Sequence, residues 1–354
     1  MNIRFEKTTT PKQKPTDQNA LGFGQIFTDH MFVMNFEEGK GWFDPRIIPY
    51  QNISLDPAAM VFHYAQAVFE GLKAYRGKDG EIMLFRPDMN FERINISNER
   101  LCIPPIDVES SMEALKQLLK IEYDWIPSAE GTSLYVRPFI IATDPYVGVR
   151  PSKTYLFIII LSPVGNYYPE GINPVKIYIE TEYVRASKGG IGFAKAAANY
   201  AISLKSQMKA KDLGFTQVLW LDGVHRKYIE EVGTMNVFFK IDGKIITPEL
   251  QGSILPGVTR NSSIEMLKDM GFEVIERAIT IDEVFEAYQD GKLEEAFGTG
   301  TAAVVSPIGS LVWEDKSMQL SDGKIGPVSA RLYDEITGIQ YGKNEDKFGW
   351  MVRV

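Results

Sequence analysis

The alternation of apolar and polar positions in the first half of the chain predicts short strands and two helices. Apolar stretches on either side of Asp79 and the glycine that follows it, a pair typical of tight turns, predict a β-hairpin over residues 74–87. Asp88 is expected to cap a helix that extends to about Leu101, because apolar side chains then recur at helical spacing. The same spacing predicts a second helix that begins at Ser110.

Two strong strands are expected next, at 133–142 and 154–161, and the apolar run in the second is too short to span a membrane. Three prolines and two glycines follow between Ser162 and Pro174, which is typical of a linker. We therefore predict a smaller N-terminal domain at 1–165, a linker at 166–174 and a larger C-terminal domain at 175–354.

The second half of the chain shows a similar mixture of hairpins and separate helices. The expected elements are a strand at 175–181, a helix that ends near Gly214, hairpins at 217–231 and 237–247, and helices at 257–270, at 282–289 and from Pro327 onward. Strands here follow strands without a regular alternation with helices. The pattern therefore favours an α/β protein of the α+β type over a regular βαβ fold.

Composition and charge narrow the possible functions. The 354 residues include 38 basic and 46 acidic side chains, and this net charge of −8 does not favour binding to nucleic acid or to anionic membranes. The single cysteine cannot form an intramolecular disulfide, and the three histidines lie far apart in the sequence, so no metal site is predicted. The first 20 residues lack the apolar core of a signal peptide. We expect them to form an irregular surface arm on a cytoplasmic protein.

The stretch Gly-Thr-Gly-Thr-Ala-Ala at 298–303 fits the spacing of a dinucleotide-binding loop. Such a loop needs a strand before it and a helix after it, whereas Val304 and the residues that follow are strand-like. A nicotinamide site is therefore not expected.

Lys195 is the one lysine with small residues packed around it on both sides, in the stretch GGIGFAKAAANYA. Small neighbours allow a flat ring or a carbonyl compound to come close to the backbone. A desolvated lysine has a lowered pKa and can form a Schiff base with a carbonyl compound. The alternative is a solvated lysine at the start of a helix.

A pair of carboxylates precedes an apolar run that reads as a strand. Strand alternation sends Glu230 and Glu231 to opposite faces. One of the two is expected to point inward and to need a cationic partner, unless both lie in water at the end of the strand.

Phosphate-binding groups are expected at the start of a helix. The stretch 255–261 opens that helix with a proline, a glycine and a hydroxyl, and free N–H groups at such an end suit an anion. The loop at 298–301 could add donors, and Arg93 could add a bidentate cation. Two ordinary turns and a surface arginine are the alternatives. A Schiff-base lysine, a carboxylate for a ring nitrogen and a phosphate cup are together what pyridoxal 5′-phosphate requires.

Seven stretches also occur in a specific order and spacing: FTDHM at 27–31, FEGLKAYR at 69–76, LYVRP at 134–138, KAAANY at 195–200, EVGTMN at 231–236, LPGVTR at 255–260 and FGTGTA at 297–302. In these the chain resembles the class IV (fold type IV) aminotransferases that depend on pyridoxal phosphate, and among them the longer branched-chain amino-acid aminotransferases. One departure is three alanines after Lys195, where many relatives have glycines. Alanine is nearly as small as glycine, so this departure hardly weakens the resemblance.

The resemblance implies a role for each matching position. Lys195 would hold the cofactor and shuttle the Cα proton, Glu231 would pair with the pyridine nitrogen, and Tyr200 would hydrogen bond the ring hydroxyl. The other implied cofactor-binding positions are Arg93, Val258, Thr259 and Thr301 at the phosphate and Leu255 on the ring face. The implied substrate-binding positions are Thr234, Ala302, Tyr135 and Arg137 for the carboxylate, and Phe23, Tyr64, Phe69 and Tyr167 for an aliphatic side chain.

The resemblance further implies a two-domain homodimer. Its reaction would be the reversible transfer of the amino group of L-leucine, L-isoleucine or L-valine to 2-oxoglutarate, giving the 2-oxo acid and L-glutamate. A D-amino-acid aminotransferase and an aminodeoxychorismate lyase are alternatives on the same fold. A non-catalytic binding protein on this scaffold is an alternative of another class, against which the intact Lys195 and Glu231 argue.

Overall fold

The computed structural model describes residues 1–165 and 172–354, which form two compact units. Unit 1 contains residues 1–165, Ala194–Ala198 and Ile339–Val354, and unit 2 contains residues 172–193 and Asn199–Gly338. The predicted domains are continuous in sequence, whereas each observed unit takes up separate segments of the chain. The predicted substrate residue Tyr167 lies outside the described residues.

Strands and helices alternate irregularly along the described residues, in line with the predicted mixed α/β class. The strands are β1 (Arg4–Phe5), β2 (His30–Glu37), β3 (Gly41–Pro49), β4 (Ala67–Phe69), β5 (Leu72–Arg76), β6 (Ile82–Phe85), β7 (Ser133–Ala142), β8 (Thr154–Val164), β9 (Val175–Ile179), β10 (Gln217–Leu221), β11 (Ile229–Val232), β12 (Met235–Ile241), β13 (Lys244–Thr247), β14 (Val274–Glu276), β15 (Leu293–Gly300), β16 (Val304–Trp313), β17 (Lys316–Gln319) and β18 (Met351–Arg353). The α-helices are α1 (Met60–Tyr64), α2 (Pro87–Arg100), α3 (Val108–Ile121), α4 (Ala197–Asp212), α5 (Val258–Asp269), α6 (Ile281–Gln289) and α7 (Pro327–Gln340).

The sheet of unit 1 has the strand order β1-β3-β2-β8-β7-β5-β6-β18, with β4 added on β7. The hairpin predicted around Asp79 is confirmed, since β5 and β6 pair antiparallel with Arg76 opposite Ile82. Phe91 of α2 and Leu118 of α3 belong to the same buried apolar cluster as Phe157 of β8. Burying these side chains away from water holds the helices on the sheet. The C-terminal strand β18 pairs with β6, which explains why the end of the chain belongs to unit 1.

The starts of two predicted helices need correction. Helix α2 begins at Pro87 rather than after an Asp88 cap, and the residue before it, Arg86, has a left-handed backbone with φ of 46°. Proline suits the first helical position because its φ is already helical and its missing N–H would have no partner there. Helix α3 begins at Val108, because the Asp107 side chain caps it by accepting the N–H of Ser110 at 2.8 Å.

The N-terminal arm is largely exposed and mostly irregular, as the sequence suggested, but it is also tied to the sheet of unit 1 at several points. Strand β1 pairs with β3. The N–H of Thr8 donates to Nε2 of His30 at 2.9 Å, and the N–H of Lys12 donates to Oδ1 of Asp29 at 2.7 Å. The partners lie about 17 to 22 residues away in sequence. A local pattern of polar residues therefore gave no sign of them.

The sheet of unit 2 has the strand order β11-β10-β9-β16-β15-β12-β13-β14, with β17 on β16. An additional pairing between β11 and β12 joins the two ends of the first six strands into a ring. Glu231 lies at this closure, opposite Asn236. Both predicted hairpins are confirmed by antiparallel pairing of β10 with β11 and of β12 with β13.

The loop at 298–303 joins two antiparallel strands. Gly300 at the end of β15 pairs with Val304 at the start of β16. A strand therefore follows this loop where a dinucleotide-binding loop would have a helix, which agrees with the exclusion made from the sequence. None of the helices in the two described ranges is long and apolar enough to cross a membrane.

Candidate functional site

The backbone of Lys195 is held on both sides by unit 1. Its N–H donates to Oγ of Ser97 at 2.9 Å, and its carbonyl accepts the N–H of Phe69 at 3.0 Å. The next residue, Ala196, forms a β-bridge with Val68 and is fully buried. The chain thus leaves unit 2 before Lys195 and returns to it at Asn199. The small neighbours of Lys195 therefore have a packing role of their own, because larger side chains would not fit against β4.

The amino group of Lys195 lies over an aromatic ring. Its Nζ is 5.1 Å from the centroid of the Phe69 ring. Its charge also acts on the Glu70 carboxylate, which follows Phe69. An amine beside an aromatic face and a carboxylate has the surroundings of a reactive lysine, and its partly buried side chain remains reachable.

The sequence left open whether Arg93 lies on the surface, and the structure shows that it does not. It is only 6% exposed and forms a two-pronged ion pair with the fully buried Glu70, from Nε to Oε1 at 2.7 Å and from Nη2 to Oε2 at 2.8 Å. Asn90 adds a hydrogen bond to Oε2 at 2.8 Å. Burial alone raises the pKa of Glu70, but Arg93, Lys195 and Asn90 together hold it below its ordinary value. Glu70 is therefore the anion that orients Arg93.

Four of the predicted substrate residues form one continuous group in unit 1. The rings of Phe23 and Tyr135 meet edge to face with centroids 5.0 Å apart. The Nη2 of Arg137 donates to Oη of Tyr135 at 3.0 Å, and the same guanidinium lies 4.7 Å from the centroid of the Phe69 ring. The group therefore reaches from Phe23 to the ring beneath Lys195. It combines an aromatic wall with one cation, which can serve both an aliphatic chain and a carboxylate.

Gly71 makes room for this group. A Cβ at Gly71 would lie 2.1 Å from Oη of Tyr135, far inside any tolerated contact. Tyr64 has a different partner, since its hydroxyl donates to the carbonyl of Val147. Its place in the substrate pocket stays a prediction, as does that of Tyr167.

A buried lysine that sequence reasoning missed lies opposite Tyr135. Lys73 of β5 pairs directly with Tyr135 of β7, so both side chains leave the sheet on the same face. Burial lowers the pKa of Lys73 to about 8 from an ordinary 10.5. The charge of this lysine therefore changes in a range where the ordinary surface lysines of the chain stay protonated.

The lowered pKa of Lys73 predicts a specific pH dependence of stability. Between about pH 8 and 10.5 the unfolded chain holds the Lys73 proton and the folded chain does not, so folding gains stability as pH rises through this window. Below pH 8 the full free-energy cost of burying the charged Lys73 is present, about 3–4 kcal/mol at roughly 1.4 kcal/mol per pKa unit. Lys73→Met should therefore raise the thermal midpoint at pH 7, and the gain should vanish near pH 10.5. The exposed Lys78→Met is the control, and parallel curves for Lys73→Met and the unmodified chain would contradict the assignment.

In unit 2, Glu231 is held by one backbone donor and one cation. Its Oε1 accepts the N–H of Leu255 at 2.8 Å, and its Oε2 forms an ion pair with Nε of Arg185 at 3.2 Å. Both charged side chains are buried. Glu231 is thus a fixed, charged acceptor with the cationic partner that the sequence required.

The expectation that one carboxylate of the pair lies inside is incomplete, because both are buried. Glu230 is 6% exposed and Glu231 is 4% exposed. Strand alternation does send them to opposite faces, but Glu230 meets the hydroxyl of Ser253 there instead of water. Glu230 is therefore a second buried carboxylate with surroundings of its own.

Two of the predicted phosphate residues, Val258 and Thr259, follow closely after Leu255, whose N–H donates to Glu231. Gly257 precedes α5, and no side chain caps the N–H groups of its first turn, where Val258 and Thr259 lie. Asn236 fixes this turn, since its Nδ2 donates to the carbonyl of Leu255 at 3.0 Å. Uncapped N–H groups at a helix start suit a phosphate, so the donor set fits the phosphate of pyridoxal 5′-phosphate.

The remaining predicted residues of unit 2 lie in neighbouring turns and on α4. Thr234 is exposed in the turn between β11 and β12, and Thr301 and Ala302 lie in the turn between β15 and β16. Both turns are at the same end of the ring, because Asn236 pairs with Thr299. Tyr200 lies in the first turn of α4. Its proposed contact with a ring hydroxyl stays a prediction.

Besides Lys73, sequence reasoning missed Glu70 and Arg185. Glu70 lies inside one of the quoted stretches, between an aromatic residue and a glycine, but a single carboxylate gives no sign of which arginine it will meet. Arg185 lies 46 residues before Glu231 with no local pattern that marks it. Metal ligation is not among the chemistries offered, since no group of three or more His, Cys, Asp or Glu side chains in the described ranges could hold a metal ion.

Comparisons with known proteins agree with this geometry. Residues 67–311 match the family described as amino-transferase class IV. The chain is 62% identical over 352 residues to branched-chain-amino-acid aminotransferase 2 of Bacillus subtilis strain 168, covering 99% of this chain and 97% of that protein. It is 57% identical over 353 residues to branched-chain-amino-acid transaminase 1 of the same strain, covering 99% of each. Its fold is similar to a crystal structure of Escherichia coli branched-chain amino acid aminotransferase, with a TM-score of 0.76, 27% identity, and coverage of 91% of this chain and 98% of that one.

Proposed function

The chain belongs to the class IV aminotransferases, within the branched-chain amino-acid aminotransferases, and on that premise we propose which of its residues carry the reaction. Class IV aminotransferases use pyridoxal 5′-phosphate. The proposed reaction moves the amino group of L-leucine, L-isoleucine or L-valine to 2-oxoglutarate. The observation that carries the proposal is the backbone of Lys195, held between Ser97 and Phe69 so that its amine lies over an aromatic ring.

Lys195 is proposed to hold the cofactor and to move the substrate Cα proton on its Nζ. When bound, the cofactor supplies an electron-poor ring that stabilises the negative charge left at Cα. Lys195 can serve as both acid and base because one amine accepts the proton and later returns it. The ion-paired Glu70 and the Phe69 ring restrict where this amine can point. A restricted amine loses less entropy when it reaches the reacting atom.

Glu231 is proposed to keep the ring nitrogen protonated. A buried carboxylate held by Arg185 and by the N–H of Leu255 stays charged and in one place, and a fixed negative charge favours the protonated form of a nearby base. The uncapped N–H groups at the start of α5 are proposed to bind the phosphate, with Arg93 and Thr301 as further ligands.

The group formed by Phe23, Tyr135, Arg137 and Phe69 is proposed to bind the substrate. Its rings suit an aliphatic side chain, and the Arg137 guanidinium suits a carboxylate. A single site must take leucine in one half-reaction and 2-oxoglutarate in the other. An aromatic wall with one cation at its edge can do both, because the cation stacks on the wall when no carboxylate is present.

A homodimer is also proposed. Apolar side chains are exposed in both units, among them Val147 and Val149 after β7 and Leu204 and Met208 on α4. Leu204 and Met208 are one helical turn apart and therefore share a face. Exposed apolar surface of this kind marks contacts with another chain, and a second copy is the partner that the family resemblance implies.

The visible spectrum of the purified holoenzyme, before and after substrate, tests the proposed function. Adding L-leucine should convert the cofactor band, and 2-oxoglutarate should restore it. Leucine, isoleucine and valine should react within roughly two orders of magnitude of one another, since one methylene in an apolar pocket changes discrimination by about 1–3 kcal/mol. Aspartate should be a poor donor. A preference for D-alanine, or release of pyruvate without a 2-oxo acid, would favour one of the two alternative enzymes.

Glu231→Gln tests the role of the ring-nitrogen carboxylate. The change keeps the shape and removes the charge, so the half-reaction with L-leucine should slow by about 10- to 150-fold while the cofactor stays bound. Single-turnover spectroscopy measures this directly. The exposed Glu273, which is paired with Lys244 on the surface of the same unit, provides the matched control as Glu273→Gln. Glu230→Gln is unsuitable as a silent control because Glu230 is buried. An unchanged rate in Glu231→Gln would disprove the assignment.

A further inference from the structure

Asn236 of β12 lies between two strands that carry parts of the proposed site. It pairs with Glu231 of β11 on one side and with Thr299 of β15 on the other. Directly opposed residues of an antiparallel pair point to the same face of the sheet, so the side chains of Asn236 and Glu231 leave the sheet together. Asn236 is only 6% exposed. A buried amide needs hydrogen-bond partners, and the segment that leads into α5 supplies one.

The NH₂ end of the Asn236 side chain holds the backbone at Leu255. Its Nδ2 donates to the carbonyl of Leu255 at 3.0 Å, and the N–H of Leu255 donates to Oε1 of Glu231 at 2.8 Å. The two peptide groups that flank the Cα of Leu255 are therefore held by two residues that pair across neighbouring strands. These contacts fix the position and the direction of the backbone just before α5.

The oxygen end of the same side chain lies close to Gly257. A Cβ at Gly257 would come 2.1 Å from Oδ1 of Asn236 and 3.2 Å from Cβ of Arg260. The backbone of Gly257, with φ of −67° and ψ of 132°, is one that any residue adopts. Glycine is therefore not needed here for its conformational freedom. It is needed because the Asn236 side chain fills the space that a Cβ would take.

We propose that Asn236 is a positioning residue for the cofactor phosphate, which acts by holding the segment 255–257 so that the uncapped N–H groups at the start of α5 stay in place. The proposal rests on the phosphate site proposed above at Val258 and Thr259. Several N–H groups bind one phosphate well only if they are already arranged for it, because ordering a loose turn on binding costs affinity. Glu231 has a second partner in Arg185, so a change at Asn236 should affect the phosphate end of the cofactor most.

Pyridoxal 5′-phosphate and pyridoxal differ only in the phosphate, so the ratio of their affinities isolates its contribution. Absorbance titration of each into the full-length protein freed of cofactor measures this ratio. The unmodified protein should bind the phosphorylated form more tightly. Asn236→Ala should lower the ratio at least about fivefold, because the Leu255 carbonyl loses its donor. A general loss of stability would weaken both ligands alike and would leave the ratio unchanged.

Gly257→Ala tests the same contact from the other side and does not depend on the folding of Asn236→Ala. With Asn236 in place the new Cβ must displace it or move the turn, so the ratio should fall in this variant as well. In the double variant the main obstacle is gone, and Gly257→Ala should add little to the effect of Asn236→Ala. Gln251→Ala removes an exposed amide from the same segment and should leave the ratio unchanged.

The outcomes separate the role of Asn236 from the phosphate site itself. An unchanged ratio in either folded single variant, or losses that add in full in the double variant, would overturn the role of Asn236 and leave the phosphate site standing. Equal affinity of the unmodified protein for pyridoxal and its phosphate would overturn the phosphate site, and the role of Asn236 with it.

Discussion

Lys195→Ala should lose turnover on the order of 10²- to 10⁴-fold from the missing proton shuttle alone, with a further loss from the missing attachment of the cofactor. The expectation rests on a backbone fixed by Ser97 and Phe69, which leaves the Nζ over the Phe69 ring as the reactive group. The variant should fold normally, because an alanine at this position would continue a run of alanines of which Ala194 and Ala196 are already buried. Steady-state assays with L-leucine and 2-oxoglutarate measure the loss.

Two comparisons make this assignment specific. Lys205→Ala removes an exposed lysine from α4 and should leave turnover unchanged. Borohydride reduction of the unmodified holoenzyme, followed by peptide mapping, should label Lys195. A label on Lys188 or Lys205 instead would show that the wrong lysine has been chosen.

Arg93→Ala should cost both stability and cofactor affinity. Glu70 is fully buried and pairs with Arg93 through two hydrogen bonds. Removing the guanidinium therefore leaves the buried carboxylate of Glu70 without a counter-charge, which should lower the free energy of unfolding by about 3–5 kcal/mol. If Arg93 also binds the phosphate, cofactor affinity should fall by about 10- to 150-fold. Urea denaturation of the apoenzyme measures the first effect, and retention of the cofactor on dialysis measures the second. Arg100→Ala, an exposed arginine at the end of the same helix, should show neither.

A double variant separates the two roles of Arg93. Glu70→Gln with Arg93→Met removes both charges, so no buried charge is left unpaired and most of the stability should return. If Arg93 binds phosphate, this double variant should still lose the cofactor on dialysis. Full retention of the cofactor in the folded double variant would mean that Arg93 serves only as the partner of Glu70.

Elements that depend on near neighbours could be predicted from the sequence. The hairpin around Asp242 is an example, because Asp242 and Gly243 both adopt the positive φ that a tight turn between twisted strands requires. Pro327 does begin α7, as its fixed φ favours. The helix predicted at 257–270 is observed as α5, with Gly257 immediately before its first turn. Where the predicted start of a helix was wrong, the observed N-cap lay only a few residues away. Asp107, for example, caps α3 just before the predicted start at Ser110.

Partners that come from distant parts of the chain could not be predicted. The sequence left open whether Arg93 lies on the surface, and Glu70, 23 residues earlier, decides that it does not. Strand alternation correctly separated Glu230 from Glu231, but only the packing of Ser253 and Arg185 shows that both are buried. Lys73 looks like an ordinary strand lysine until its burial lowers its pKa.

The sequence by itself therefore determined the local elements, the family and the list of candidate residues, because turns, caps and motif spacing are properties of neighbouring positions. Tertiary structure alone decided the charge partners, the buried second carboxylate and the segments that each unit takes up. These depend on contacts between residues tens of positions apart, and a chain can make such contacts only after its strands have paired. The chemistry proposed for Lys195 and Glu231 depends on sequence and tertiary structure together. The sequence motif identifies each residue, and contacts with distant parts of the chain hold it in place.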